Sequence, residues 1–563
     1  MLEIDKILEK CGDCHRLQII MLLLFSIINI LSSTHYYSQT IISFVPKYRC
    51  VEGNRNYSQA SNISNDPVAT SSCLPSNNAT ATHCDYYEYD LYMGYESLTS
   101  ELNWICENAW KVTLGQSMFF IGSVVGTLIF GLLADVLGNE QKKMRKQFNS
   151  LRLTKRFFWF SGRLPILILA NIVAMLGNIL TIFGTSVVRF SIFRFISGLA
   201  TDSNFVMMYI LVMEYLRPSL RTIGLSLCIG FFYCLGSMMA PWVAVVMQTW
   251  RGFLLATSIP LIVVPLFYFI VPESVQWLIS KQKYDKATAS LRQVAKINGR
   301  TLDESVYTEF INDCKRKQLY VKVGPNLLGL FATPRLRRNT LILFFKSMVI
   351  TLCYDAVSRN VQGLGISPFV MFTLSATTIL PACLLLIALQ DRIGRKAMAS
   401  MSLLLSGIFI SCTGVILFQS DSEKNVTLIV TLSIIGRFGV TVAYNSGAQY
   451  ATELIPTCVR GQGVAAVHVV GYAFTFFSTY ILYMRHYFFP LPEIILGFIS
   501  LLGAALCLLL PETLHRTLPN SLEDGENFGK NDRWYIFSFM EKRTQSVDTL
   551  SSSTIPNQQP DSS

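Results

Sequence analysis

Ionisable side chains set inside long apolar runs are the residues of this sequence whose chemistry is costliest to keep, because a charge in hydrocarbon must be paired or used. They are Asp202, Lys346, Asp355, Arg359 and His468, with Arg194 and Arg437 nearer the ends of their runs. Asp202 is the strongest counter-charge for a cation. It precedes Glu214 by twelve residues, roughly 18 Å along a helix, which is near the middle of a bilayer core about 30 Å thick. Asp355 and Arg359 are four residues apart, a spacing that lets them neutralise each other on one helix face. Tyr36, Tyr37, Phe205, Tyr209, Tyr354, Tyr444, Tyr450 and Tyr472 lie at comparable heights. Ring faces hold organic cations at about 0.5 to 2 kcal/mol each without a full counter-charge. The chemistry on offer is recognition of a small organic ion. Catalysis is not indicated: the six histidines form no cluster with a nucleophile or base, and the chain is not expected to be an enzyme. Cys11 and Cys14 form a C-x-x-C with no second ligand pair, so neither a metal nor a cofactor is expected.

The elements that must position these residues are membrane spans. Of 563 residues 51% are apolar and only 15% charged, where a soluble domain carries nearer a quarter. Twelve apolar runs of spanning length fall at about 17–37, 112–134, 164–184, 190–215, 222–246, 252–271, 340–358, 366–389, 398–418, 426–450, 461–484 and 491–510. The first lacks a small-residue cleavage site and reads as a retained helix. The net charge of +11 is topological and does not imply nucleic acid: eight Lys/Arg lie between Asp135 and Arg163, and thirteen between Lys281 and Arg338. The opposite loops hold about one each beyond the first, which places both termini in the cytoplasm. The loop over 40–111 carries the sequons Asn56, Asn62 and Asn78, and Asn425 opens another in a later outside loop. Cys50, Cys73, Cys84 and Cys106 lie in the same loop, an even set that implies two disulfides of open pairing.

The halves repeat their landmarks. Glu214 and Arg221 recur as Glu453 and Arg460, Pro272-Glu-Ser as Pro511-Glu-Thr, and both sets are offset by 239 positions. Asp135 with Arg163 answers Asp391 with Arg392 and Arg395. This six-plus-six duplication implies an all-α fold of two bundles, 17–271 and 339–511, joined by a linker over 272–338 and flanked by a cytoplasmic N-terminus (1–16) and a mostly disordered tail (512–563). It implies alternating access, with a substrate site between the halves. The charged landmarks would ring the cytoplasmic mouth, pair across neighbouring helices and act as a gate.

These motifs, namely Gly131-Leu-Leu-Ala-Asp135, Asp391-Arg-Ile-Gly-Arg395-Lys, the Glu/Arg pairs, Pro272-Glu-Ser-Val-Gln-Trp277 and Leu510-Pro-Glu-Thr, resemble the major facilitator superfamily. The cysteine-bearing loop closing at Asn103-Trp-Ile-Cys106, with Tyr354-Asp-Ala-Val-Ser-Arg359, resembles its organic ion branch, solute carrier family 22, especially invertebrate organic cation transporter-like members. The resemblance implies a multi-pass plasma-membrane transporter of small organic ions. A hydrophobic cation ranks first, a carnitine-like zwitterion second and an anion third. Where cation-transporting relatives place carboxylates in spans 8 and 11, this chain has Ile379 and Tyr472. The rival readings are a transport-inactive receptor of the same fold and a sugar porter, though sugar porters lack this loop.

One departure is large. The family's Asp-x-x-Gly-Arg-x-Pro is split by 24 residues (138–161) between Asp135-Val-Leu and Gly162-Arg163-Leu-Pro165. The insert is basic, would span 72 nucleotides and ends Phe-Phe-Trp-Phe-Ser, a string whose codons could supply a pyrimidine-rich splice acceptor. A retained intron is the hypothesis this carries. Transcripts that join codon 137 to codon 162 are the expected finding, and reads that all contain the insert would refute it.

Overall fold

The computed structural model describes residues 2–12, 15–51, 73, 84, 86–136, 162–216, 227–320, 327–418, 425–514, 516, 518–530 and 537. Twelve of its helices are long and apolar enough to cross a membrane: Arg16–Ile42, Cys106–Gly131, Arg163–Thr181, Val187–Tyr215, Ile229–Met247, Trp250–Ile270, Pro334–Arg359, Pro368–Ile393, Arg395–Phe418, Val426–Leu454, Arg460–His486 and Leu491–Leu508, here spans 1 to 12. The expected all-α fold of twelve membrane-spanning helices is borne out. Span 7 starts six residues before the expected boundary because its basic first turn stays helical beyond the apolar run. Span 6 tightens to a 3-10 form over Ile259–Leu266, where Pro260 and Pro265 remove amide donors.

The chain forms two compact units. One comprises Met1–Val321, Ser358–Thr377 and Phe476–Phe489, the other Lys322–Val357, Thr378–Thr475 and Pro490–Ser563. This differs from a clean division at the linker, since the ends of spans 7, 8 and 11 nearest the cysteine loop belong with the first unit. Polar and ring contacts inside that unit account for it. Ser117 and Thr479 share a hydroxyl hydrogen bond of 2.8 Å, and Phe369 lies 5.0 Å from Phe44 and 5.4 Å from Tyr95.

In the first unit α1 (Leu2–Lys10) precedes span 1, and the linker forms α2 (Tyr284–Ile297) and α3 (Glu304–Tyr320), amphipathic helices that the sequence reading had not resolved. Ile7, Leu8 and Cys11 join Leu291, Val294, Tyr307 and Phe310 in one apolar core. Cys11 is therefore fully buried, its thiol pushed up to about 11 by burial, while Cys14 lies outside the described residues. Strands Lys47–Val51 and Tyr86–Asp90 pair antiparallel, Cys50 opposite Tyr87, and disulfides join Cys50 to Cys84 and Cys73 to Cys106.

In the second unit the tail holds order beyond the last span. Ser521 and Asp524 form a capping box that starts α4 (Leu522–Asn527), a local signal that the Ser/Thr-rich composition had masked. Asn56, Asn62, Asn78 and the insert 138–161 lie outside the described residues. Asn425 caps span 10, its Oδ1 accepting from the Leu428 amide at 3.2 Å.

Candidate functional site

The charged landmarks of each half assemble around the start of that half's third span. In the first unit Gly162 has φ +150°, and a Cβ there would meet Glu273 Oε2 at 2.2 Å, so only glycine lets that carboxylate approach. Glu273 Oε1 accepts from the amides of Arg163 at 3.1 Å and Ser274 at 3.0 Å. The Arg163 guanidinium pairs with Glu214, which also accepts from the Ser274 hydroxyl. Tyr215 closes the group by donating to the Glu273 carbonyl at 2.7 Å. Burial raises the Glu273 carboxyl above its ordinary range, and the amides and Arg163 oppose that.

The second unit repeats the construction. Gly394 takes φ +101°, and Glu512 Oε1 accepts from the amides of Arg395 at 3.0 Å and Thr513 at 2.9 Å. Arg395 pairs with Glu453 at 3.0 Å and, one turn back, with Asp391 at 2.9 Å. Glu453 further accepts from Thr513 Oγ1 at 2.6 Å and Gln449 Nε2 at 3.1 Å. Tyr450 donates to the Pro511 carbonyl at 2.5 Å. Partly buried ion pairs that are also held by several charge-assisted hydrogen bonds keep their geometry firmly.

The expected gate set is thus brought together in part. Arg163, Glu214, Asp391, Arg395 and Glu453 join clusters. Arg392 is exposed and forms no ion pair among the described residues. Arg460 donates to the Ile455 carbonyl at 3.3 Å with Glu453 nearby. Arg221 and the Asp135 side chain lie outside the described residues. Sequence reading missed the roles of Glu273 and Glu512, although the Pro-Glu-Ser and Pro-Glu-Thr strings marked them.

Aromatic candidates group separately in each unit. In the second, Tyr354 stacks on Tyr444 with centroids 4.4 Å apart, Tyr444 and Tyr472 share a hydroxyl hydrogen bond of 2.9 Å, and His468 lies 4.9 Å from the Tyr472 ring. All four are partly exposed. The Arg437 guanidinium lies 4.3 Å from the Tyr354 ring centroid and donates to the Tyr354 carbonyl at 3.0 Å. Lys346 is buried, donating to the Gly447 carbonyl at 3.1 Å under the Tyr450 ring. Asp355 is fully buried beside Tyr354 in sequence.

In the first unit Tyr36 meets Tyr37 edge-on at 5.0 Å, and Tyr37 meets Phe372 at 5.0 Å. Arg359 donates to Ser478 and, at 3.3 Å, to Gln116, with its guanidinium 4.9 Å from the Phe120 ring. Asp202 is buried and accepts from the Ser123 hydroxyl. Phe205 and Tyr209 stack at 6.1 Å and pack on Phe25. A network the sequence had not revealed links His35 to the Ser197 carbonyl at 3.1 Å and to Asn178 at 3.0 Å, beside Arg194 over Phe119 at 4.6 Å. Its members are scattered over spans 1, 2, 3 and 4, so no local spacing signals it.

Comparison with known proteins fits this geometry. The profile of the sugar (and other) transporter family matches residues 153–522. The chain belongs to this major facilitator family. Among curated relatives, it is 28% identical over 460 residues to the organic cation transporter protein of Drosophila melanogaster, covering 81% of this chain and 78% of that one. It is 29% identical over 440 residues to the human organic cation/carnitine transporter 2, covering 78% and 72%. Rat solute carrier family 22 member 2 is 28% identical over 434 residues, 77% and 72% of the two chains. The likeness to solute carrier family 22 is borne out. The inward open conformation of the xylose transporter XylE from E. coli aligns with a TM-score of 0.56 at 16% identity, over 90% of this chain and 99% of that one, which shows the major facilitator fold.

Proposed function

We propose that this membrane transporter carries small organic cations across the plasma membrane by alternating access, with both termini cytoplasmic and the disulfide-bonded loop outside, glycosylated at Asn56, Asn62 and Asn78. The observation that carries the reading is the partly exposed group of Tyr354, Tyr444 and Tyr472, whose ring faces suit a quaternary or hydrophobic ammonium. Asp202 adds a buried carboxylate near mid-span. The printed names of the relatives, which are cation and cation/carnitine transporters, support the same class. An inside-negative membrane would favour uptake by about 2.3 kcal/mol per charge per 100 mV.

A second reading has its own observation. Lys346 and Arg437 are buried cations in the second unit, suited to the carboxylate of a zwitterion or an organic anion. Asp202→Asn separates the two. Loss of cation uptake with zwitterion or anion uptake retained is the expected result, whereas cation uptake indifferent to Asp202→Asn would remove that residue from the site.

A further inference from the structure

In each unit the segment after the sixth span of the half returns to the first span of the same half, and one side chain makes the tie. In the first unit it is Asn298, buried at 6% exposure just past α2. Its Oδ1 accepts from the Leu17 amide at the start of span 1 at 2.9 Å. Its Nδ2 donates to the carbonyls of Cys11 at 3.2 Å and Gly12 at 3.1 Å. Gly12 has φ +112°, and a Cβ there would sit 3.0 Å from the Asn298 Cβ, so α1 is drawn against the linker at this point. In the second unit the tie is Glu526 in α4, whose carboxylate accepts from the amides of Arg335 at 3.1 Å and Leu336 at 2.8 Å in the first turn of span 7. The Arg335 guanidinium reaches on to the Lys530 carbonyl at 2.9 Å.

Both side chains satisfy backbone donors that a helix start leaves over, and a carboxylate there also meets the positive end of the helix dipole. Both also connect to the ion clusters. Ser290 in α2 donates at 3.0 Å to the same Glu273 carbonyl that Tyr215 holds. Leu336 packs in one core with Tyr450, which holds the Pro511 carbonyl next to Glu512. Spans 1 and 7 carry Tyr36, Tyr37, Tyr354, Asp355 and Arg359.

We propose that Asn298 and Glu526 are positioning residues for transport, each coupling the ion cluster of its half to the helix that carries candidate substrate contacts. The proposal rests on the transporter reading but not on the substrate's class. Without the tie, spans 1 and 7 move independently of the clusters and the conformational cycle slows while binding is kept.

The test uses the full chain, with Cys14, Cys228, Cys314, Cys412 and Cys458 replaced by serine. In inside-out vesicles a membrane-impermeant maleimide is expected to label Cys11 about tenfold faster in Asn298→Ala, as α1 leaves its seat. Glu526→Ala is expected to lower maximal uptake of the best cation, per surface transporter, about three- to tenfold with KM little changed, and Glu526→Gln to restore most of it. Unchanged Cys11 labelling in Asn298→Ala overturns the first tie. Unchanged maximal uptake in Glu526→Ala, or a loss confined to surface amount, overturns the positioning role. Absence of any uptake by the unaltered chain overturns the transporter reading instead, whatever Cys11 does.

Discussion

Glu453→Gln is expected to lower maximal uptake about tenfold or more at equal surface amount, with Glu453→Asp intermediate. The carboxylate answers three donors at once, Arg395, Thr513 and Gln449, and both it and Arg395 are mostly buried, at 15% and 11% side-chain exposure. Removing one member of such a pair leaves the other charge uncompensated, at a cost of a few kcal/mol (about 3 to 5 when fully buried). Asp391 cannot replace it, since its side chain is 77% exposed and its pairing with Arg395 is screened by water. A cluster that stabilises one state of a cycling transporter changes the population of that state when weakened, and each 1.4 kcal/mol or so is tenfold. Glu214→Gln should behave alike, because Arg163, Ser274 and Glu273 reproduce the arrangement in the other half. Uptake kinetics normalised to surface biotinylation measure it.

Tyr444→Ala is expected to raise KM for a quaternary ammonium substrate about tenfold, while Tyr444→Phe changes it less than about threefold. The alanine variant removes the ring stacked on Tyr354 at 4.4 Å and the hydroxyl bonded to Tyr472 at 2.9 Å. Phenylalanine keeps the ring face, which is the part a cation needs, and loses only the hydroxyl. A carboxylate-only substrate should show the smaller change in both variants, because its contacts would lie with Lys346 and Arg437. Equal KM for the quaternary ammonium in all three forms would place its binding elsewhere.

How much of this was legible in the sequence follows from what each feature depends on. The spans were legible because hydropathy over about 20 residues is a local property, and the duplication because Glu214 and Glu453 share an offset with Pro272 and Pro511. The cysteine pairing was not, since four cysteines allow three connectivities and only the register of Cys50 opposite Tyr87 fixes which partners come near. The C-x-x-C read as a weak ligand pair, yet Cys11 is a packing residue against the linker, a contact between positions 280 residues apart. Asp202 stood out as a candidate by its depth, and Tyr354, Tyr444 and Tyr472 by type and height. The convergence of the three tyrosines in one unit required the fold. Arg392 was included because its motif is rich in charge; it is exposed while its neighbour Asp391 pairs with Arg395, and a helix turns adjacent residues about 100° apart.

The central claim is tested most directly by uptake of radiolabelled cations, zwitterions and anions into cells expressing the form without 138–161, with membrane potential varied by external potassium. The account predicts saturable uptake of a hydrophobic or quaternary cation that falls as the cell is depolarised and is lost in Asp202→Asn. Saturable uptake confined to anions, or no uptake of any class at normal surface amount, would contradict it.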